Sequence, residues 1–124
     1  MADTAAVVDM AVPNNATWQD AFQFSQDSAA PWDFTGQKFI MEIKGNPNDT
    51  TVLLELTSDA GEIVVDSSAE RVLHINVPYT AIQAALKVGE YFYDFIMYDT
   101  GTPVVRVQLM RGTVTIDQGI TGEP

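Results

Sequence analysis

At 124 residues with 46% hydrophobic content, the chain has the size and composition of one globular domain with its own core. Seventeen acidic against six basic residues give a net charge of −11, which argues against nucleic acid and anionic membranes, since both are bound through Lys and Arg. There is no cysteine, so disulfides and thiolate metal sites are excluded, and no apolar stretch approaches the length of a membrane span.

The opening segment, residues 1–15, reads as an extended arm. It carries Ala5, Ala6, Val7, Val8, Met10 and Val12 and stops at Pro13-Asn14-Asn15. The Ala5–Val8 run is too short for a signal-peptide core and no Lys or Arg precedes it, so no secretion signal is expected. Residues 16–117 read as the folded domain. From Thr17, Trp18, Phe22 and Phe24 share one face of a strand, and Asp20 is the awkward member of that face, expected at a bend. Residues 25–30 are small and polar, a loop, and Pro31 to Gly36 is a turn. Residues 37–44 alternate, with Phe39, Met41 and Ile43 inward and Lys38, Ile40, Glu42 and Lys44 outward.

Gly45-Asn46-Pro47-Asn48-Asp49 is dense in turn residues. Residues 50–57 form the next strand, with Val52, Leu54 and Leu56 toward the core. Ile63 to Val65 and Arg71 to Val77 follow as strands. Ile82, Ala85 and Leu86 then mark one stripe of a short helix. Gly89 breaks that helix before the most strand-like run in the chain, Glu90 to Tyr98. Both of its faces are large and mostly apolar, which places it inside a sheet rather than at an edge.

Asp99 to Pro103 closes a hairpin. Val105, Val107 and Leu109 alternate, Met110-Arg111-Gly112 interrupts the pattern with a bulge expected at Gly112, and Val114 and Ile116 resume it. Residues 118–124 are a polar tail. Turn signals every ~8–12 residues between short strands predict an all-β fold. It is read as an immunoglobulin-like antiparallel β-sandwich with one short crossover helix. In that fold a tyrosine follows the helical corner and its hydroxyl bonds back to it. Tyr91 occupies that place, and Tyr93 takes the core position held by a cysteine in antibody domains.

The chemistry-bearing residues form no catalytic set. His74 is the lone histidine, on the Val72–His74–Asn76 face, and without a placed nucleophile it completes no triad. Ser67 and Ser68 sit in a turn without nucleophile-elbow context. Asp94 lies inside an apolar strand. It is read as a structural carboxylate satisfied by backbone donors, a tyrosine or Arg106, in preference to a raised-pKa acid, because no second carboxylate is spaced as its partner. Asn46, Asn48 and Asp49 are oxygen ligands in one loop, but too few for a calcium loop, so a turn is the preferred reading. Trp18 and Trp32 serve equally as core residues or as sugar platforms. No catalytic, cofactor or metal residue is assigned, and no cofactor is expected.

Four stretches resemble a family of small proteins from tailed-phage and prophage structural gene clusters. They are Asp33-Phe34-Thr35-Gly36 with the strand after it, Val52 to Leu56 with Asp59-Ala60-Gly61, Gly89 to Phe95, and Val105 through Gly112 to Ile116. Phe34 and Phe95 stand where the family has leucine. The resemblance implies an immunoglobulin-like sandwich in the virion, made in the host bacterial cytoplasm. It further implies a structural or adaptor protein of tail, baseplate, fibre attachment or head surface, with other virion proteins or further copies as partners and no catalytic residues. A carbohydrate- or receptor-binding module is the alternative, and an enzyme is disfavoured by the residue inventory. The arm is expected to reach a neighbouring subunit through Val7, Val8, Met10 and Val12, by strand addition or groove filling. The rival arrangement folds it onto its own domain as an edge strand.

Overall fold

The computed structural model describes residues 6–24, 34–101 and 104–120. Among them nine strands and one helix form two sheets. The first sheet joins β1 (Ala6–Val7), β2 (Met10–Pro13), β4 (Lys38–Lys44), β5 (Leu54–Thr57), β8 (Gly89–Tyr98) and β9 (Arg106–Asp117). Its order is β1-β9-β8-β4-β5, with β2 also paired to β9. The second sheet is β3 (Trp18–Gln23), β7 (Val72–Val77) and β6 (Ile63–Ser67), in the order β3-β7-β6. The helix α1 (Tyr79–Ala85) carries the chain from β7 in one sheet to β8 in the other. This is the all-β sandwich with a crossover helix that the strand pattern predicts.

Strand β8 sits between β4 and β9, antiparallel to both. Its odd residues Tyr93, Phe95 and Met97 are buried between the sheets, whereas Phe92, Asp94, Ile96 and Tyr98 are half-buried on the outer face. Edge-on ring contacts run through the interior from Phe24 to Phe34 (5.9 Å) and from Phe34 to Phe39 (4.9 Å). Phe39 then meets Phe95 at 6.1 Å. Such pairs add to the large area each ring buries. Leu73, Ile75 and Val77 of β7 and Ile82 and Leu86 at the helix close the core from the second sheet's side. Just past the corner, the Tyr91 hydroxyl donates to the Lys87 carbonyl at 2.7 Å, the tie expected of a corner tyrosine.

Several details depart from the pattern. Asp20 stays in register opposite Ile75 rather than at a bend, and its Oδ2 accepts the Trp18 indole N–H at 2.7 Å. A buried indole needs an acceptor, and this carboxylate supplies it. The strand expected from Thr50 pairs only from Leu54, although Leu53 N–H still donates to the Ile43 carbonyl. The break in β9 is a bulge at Leu109. Phe95 faces Met110 while Ile96 faces Gln108, so Leu109 has no partner on β8. That extra residue explains why Leu109 and Met110 are both buried although adjacent.

Gly112, where the bulge was expected, has another task. A Cβ there would collide with the Val8 carbonyl, and its φ of 155° is one that side-chain-bearing residues rarely adopt.

The largest departure is the arm. Strands β1 and β2 run parallel to β9 with one common register, Ala6 opposite Met110 and Met10 opposite Val114. The sheet is therefore mixed, not wholly antiparallel. Met10 and Val12 are buried in the chain's own core, Val8 packs against that core, and Val7 is 63% exposed. Of the four residues expected to reach a neighbour, Val7 alone is largely exposed. Met10 and Val12 are occupied within the molecule, because Val114 and Ile116 on β9 offer them an apolar face that the other strands leave open.

Two stability measurements check this account. Phe95→Ala, at a fully buried ring, is expected to cost ~3–5 kcal/mol in urea unfolding. Deleting residues 1–13 is expected to lower the unfolding midpoint strongly by uncovering Val114 and Ile116. A truncated domain of undiminished stability would contradict the arm's place in the core.

Candidate functional site

The outer face of the larger sheet follows from the register. Reading across β4, β8 and β9, one row is Glu42, Asp94, Arg111, and the next is Lys44, Phe92, Thr113. Glu55 on β5 extends the first row beyond Glu42, and Val7 on β1 closes it beyond Arg111. These two rows floor a hollow of about 530 Å³, rimmed by Pro47 from the β4–β5 turn and by Val7 and Asp9 from the arm. The volume lies within the ~300–1,000 Å³ typical of small-molecule sites.

The hollow gathers carboxylates and cations that form no close ion pair among the described residues, although Asp94 and Arg111 are cross-strand neighbours. Among the described residues the Lys38–Asp59 ion pair at 3.0 Å and the His74–Asp66 side-chain contact at 2.9 Å both lie elsewhere. Within the hollow, Asp94 Oδ2 accepts from the Gln108 side-chain amide at 3.2 Å. Asp9 Oδ1 accepts from the Thr113 N–H at 3.0 Å and from its hydroxyl at 3.1 Å. Glu42, Lys44 and Arg111 have no ion-pair partner among the described residues. Glu55, Glu42 and Asp94 are successive cross-strand neighbours, a like-charge arrangement that disfavours the sheet.

Beside the hollow the arm is fastened where β1 meets β2. Val8 N–H donates to the Arg111 carbonyl at 2.9 Å, and the Tyr93 hydroxyl donates to the Val8 carbonyl at 2.7 Å. Burial, helped by the nearby Asp9 carboxylate, pushes the Tyr93 phenol's ionisation well above the ordinary tyrosine range.

The remaining candidates from the sequence are dispersed. His74 lies on the outer face of the smaller sheet, opposite Val64 and Ala21, with Nδ1 against Asp66. Ser67 Oγ accepts the Glu70 N–H in its turn. Asp49 closes the β4–β5 turn by accepting the Asn46 N–H at 3.1 Å, as turn chemistry predicts. Trp18 is buried, which removes it as an exposed sugar platform, and Trp32 lies outside the described residues. Arg106 faces Tyr98, four residues along β8 from Asp94, so Gln108 rather than Arg106 serves that carboxylate. Of the singled-out residues, Asp94 lies in the floor of the hollow and Val7 at its rim. Glu42 and Lys44 were legible as outward-facing, but their gathering with Gln108 around Asp94 depends on register and on the bulge.

No known family profile and no curated protein matches the chain. Among solved structures it is similar to CopC from Methylosinus trichosporium OB3b, at 13% identity over 96% of this chain and 89% of that one, with a TM-score of 0.42. It is also similar to a nucleoside hydrolase-related hypothetical protein from Saccharophagus degradans, at 10% identity and a TM-score of 0.38, over 92% of this chain and 23% of that one. Among the described residues no group of three His, Asp or Glu side chains is placed to hold a metal ion, and no helix is long and apolar enough to cross a membrane.

The Tyr93 phenol gives a pH prediction. Below about pH 10, folded and unfolded chains both keep the proton and this group does not affect stability. Above that, the unfolded chain ionises while folded Tyr93 resists, so stability falls as pH rises. In an alkaline absorbance titration, Tyr93→Phe is expected to remove one late-ionising phenol. An unchanged late phase would refute the assignment.

Proposed function

We infer that the chain is a non-enzymatic structural or adaptor protein of a bacteriophage particle, acting through protein–protein contacts. The sequence resemblance motivates this reading, and one observation carries it further. The long β8–β9 hairpin presents exposed apolar side chains beyond both of its ends. Val88 (53% exposed) and Ile120 (100%) lie past the Gly89–Ile116 end, and Val104 (51%) and Val105 (46%) lie past the Tyr98–Arg106 end. Single exposed apolar residues are ordinary on protein surfaces. Exposed apolar residues flanking both ends of one ribbon suit a module that is contacted at both ends, as in a stacked or ring-forming assembly. A net charge of −11 keeps free copies soluble and mutually repelled until a partner surface is available.

Mass spectrometry of purified particles is the direct test, and the chain is expected among the virion proteins. The double variant Val104→Asp, Val105→Asp is expected to fold normally, because both side chains face solvent, and to be lost from particles. Absence of the wild-type chain from mature particles would overturn the reading.

A further inference from the structure

We propose that the hollow on the outer face of the larger sheet is a binding site for a neutral saccharide, held on Phe92 between the Glu42–Asp94 carboxylates and the Lys44 and Arg111 cations. The choice of ligand follows from the lining. A cationic ligand meets Lys44 on one side and Arg111 on the other, which lie two strands and one row apart across β8, roughly 12 Å at the usual strand spacing and rise. An anionic ligand meets Asp9, Glu42 and Asp94, within a molecule of net charge −11. An apolar ligand would strip water from ionised groups that have no ion-pair partner to replace it.

A neutral polyol avoids all three penalties. Each hydroxyl both donates and accepts. It can therefore donate to Glu42 and to the oxygen of Asp94 that Gln108 leaves open, while accepting from Arg111 and Lys44. Phe92, half-buried and lining the floor, is the aromatic residue available to the C–H face of a sugar, a contact that an aromatic ring's negative face suits. Glu42 and Asp94 are like-charged cross-strand neighbours, and hydroxyl donors relieve that repulsion on binding.

The test uses the full chain on an array of neutral and acidic oligosaccharides, followed by amide NMR titration with each glycan that scores. At least one neutral saccharide is expected to bind, with shifts centred on residues 42–44, 92–94 and 108–113. Phe92→Ala and Glu42→Gln are each expected to weaken binding by about tenfold or more with an unchanged far-UV spectrum. Glu42→Gln keeps size and shape, so it decides the matter if Phe92→Ala fails to fold. Three outcomes would overturn the proposal: no binding at millimolar neutral glycan, binding to acidic glycans only, or binding that Glu42→Gln leaves intact. The outcome is independent of particle incorporation, since a chain absent from particles can still bind sugar in solution.

Discussion

The pairing of β8 on both sides is the constraint from which the rest of the molecule follows. Its backbone groups are shared between β4 and β9, and its Tyr93, Phe95 and Met97 side chains are buried. A strand so placed tolerates no slip, because a shift of one residue would exchange Phe95 for Asp94 in the core. The corner tie from Tyr91 to Lys87 fixes where the strand begins, and the bulge at Leu109 sets how β9 lies against it. Beyond the bulge the parity of β9 is reversed. This lets Leu109, Met110, Val114 and Ile116 all reach the interior while Arg111 turns outward beside Asp94. One inserted residue thus serves both the core and the outer hollow.

The parts of this architecture that rest on local pattern were legible in the sequence. Period-two alternation located β4, β7 and β8 to within a residue or so, and the helical stripe of Ile82, Ala85 and Leu86 located the crossover. Long-range pairing was not legible. The arm has the apolar residues of a strand, but nothing in its local sequence states that its partner is β9, with Asp9 and Thr113 standing 104 residues apart. Gly112 looked like a bulge because glycine often marks one. Its actual role, making room for the Val8 carbonyl, requires knowing what passes over it. Asp20 likewise looked misplaced until its service to the Trp18 indole was seen.

The hollow was the least legible feature, for a related reason. Its residues come from three central strands and the arm, and each alone is an ordinary outward-facing polar side chain. Asp94 stood out only through contrast with its aromatic neighbours. Glu42 and Glu55 attract no notice in sequence, yet the sheet sets them in line with Asp94. Charge crowding on a sheet face arises from register and can be read only after strands are assigned to partners.

The parallel seam between the arm and β9 also governs how the molecule comes into being. Val12 and Ile116 are opposite one another and both fully enclosed, yet Val12 is synthesised well before Ile116. On the ribosome, Met10 and Val12 emerge long before the strand that covers them, and their apolar faces stay uncovered until β9 follows. Contacts so distant in sequence must wait for a large loop to close, which makes them slow to form. The nascent chain is thus exposed to misassociation until β9 emerges, and a chaperone that shields Met10 and Val12 would act over that interval.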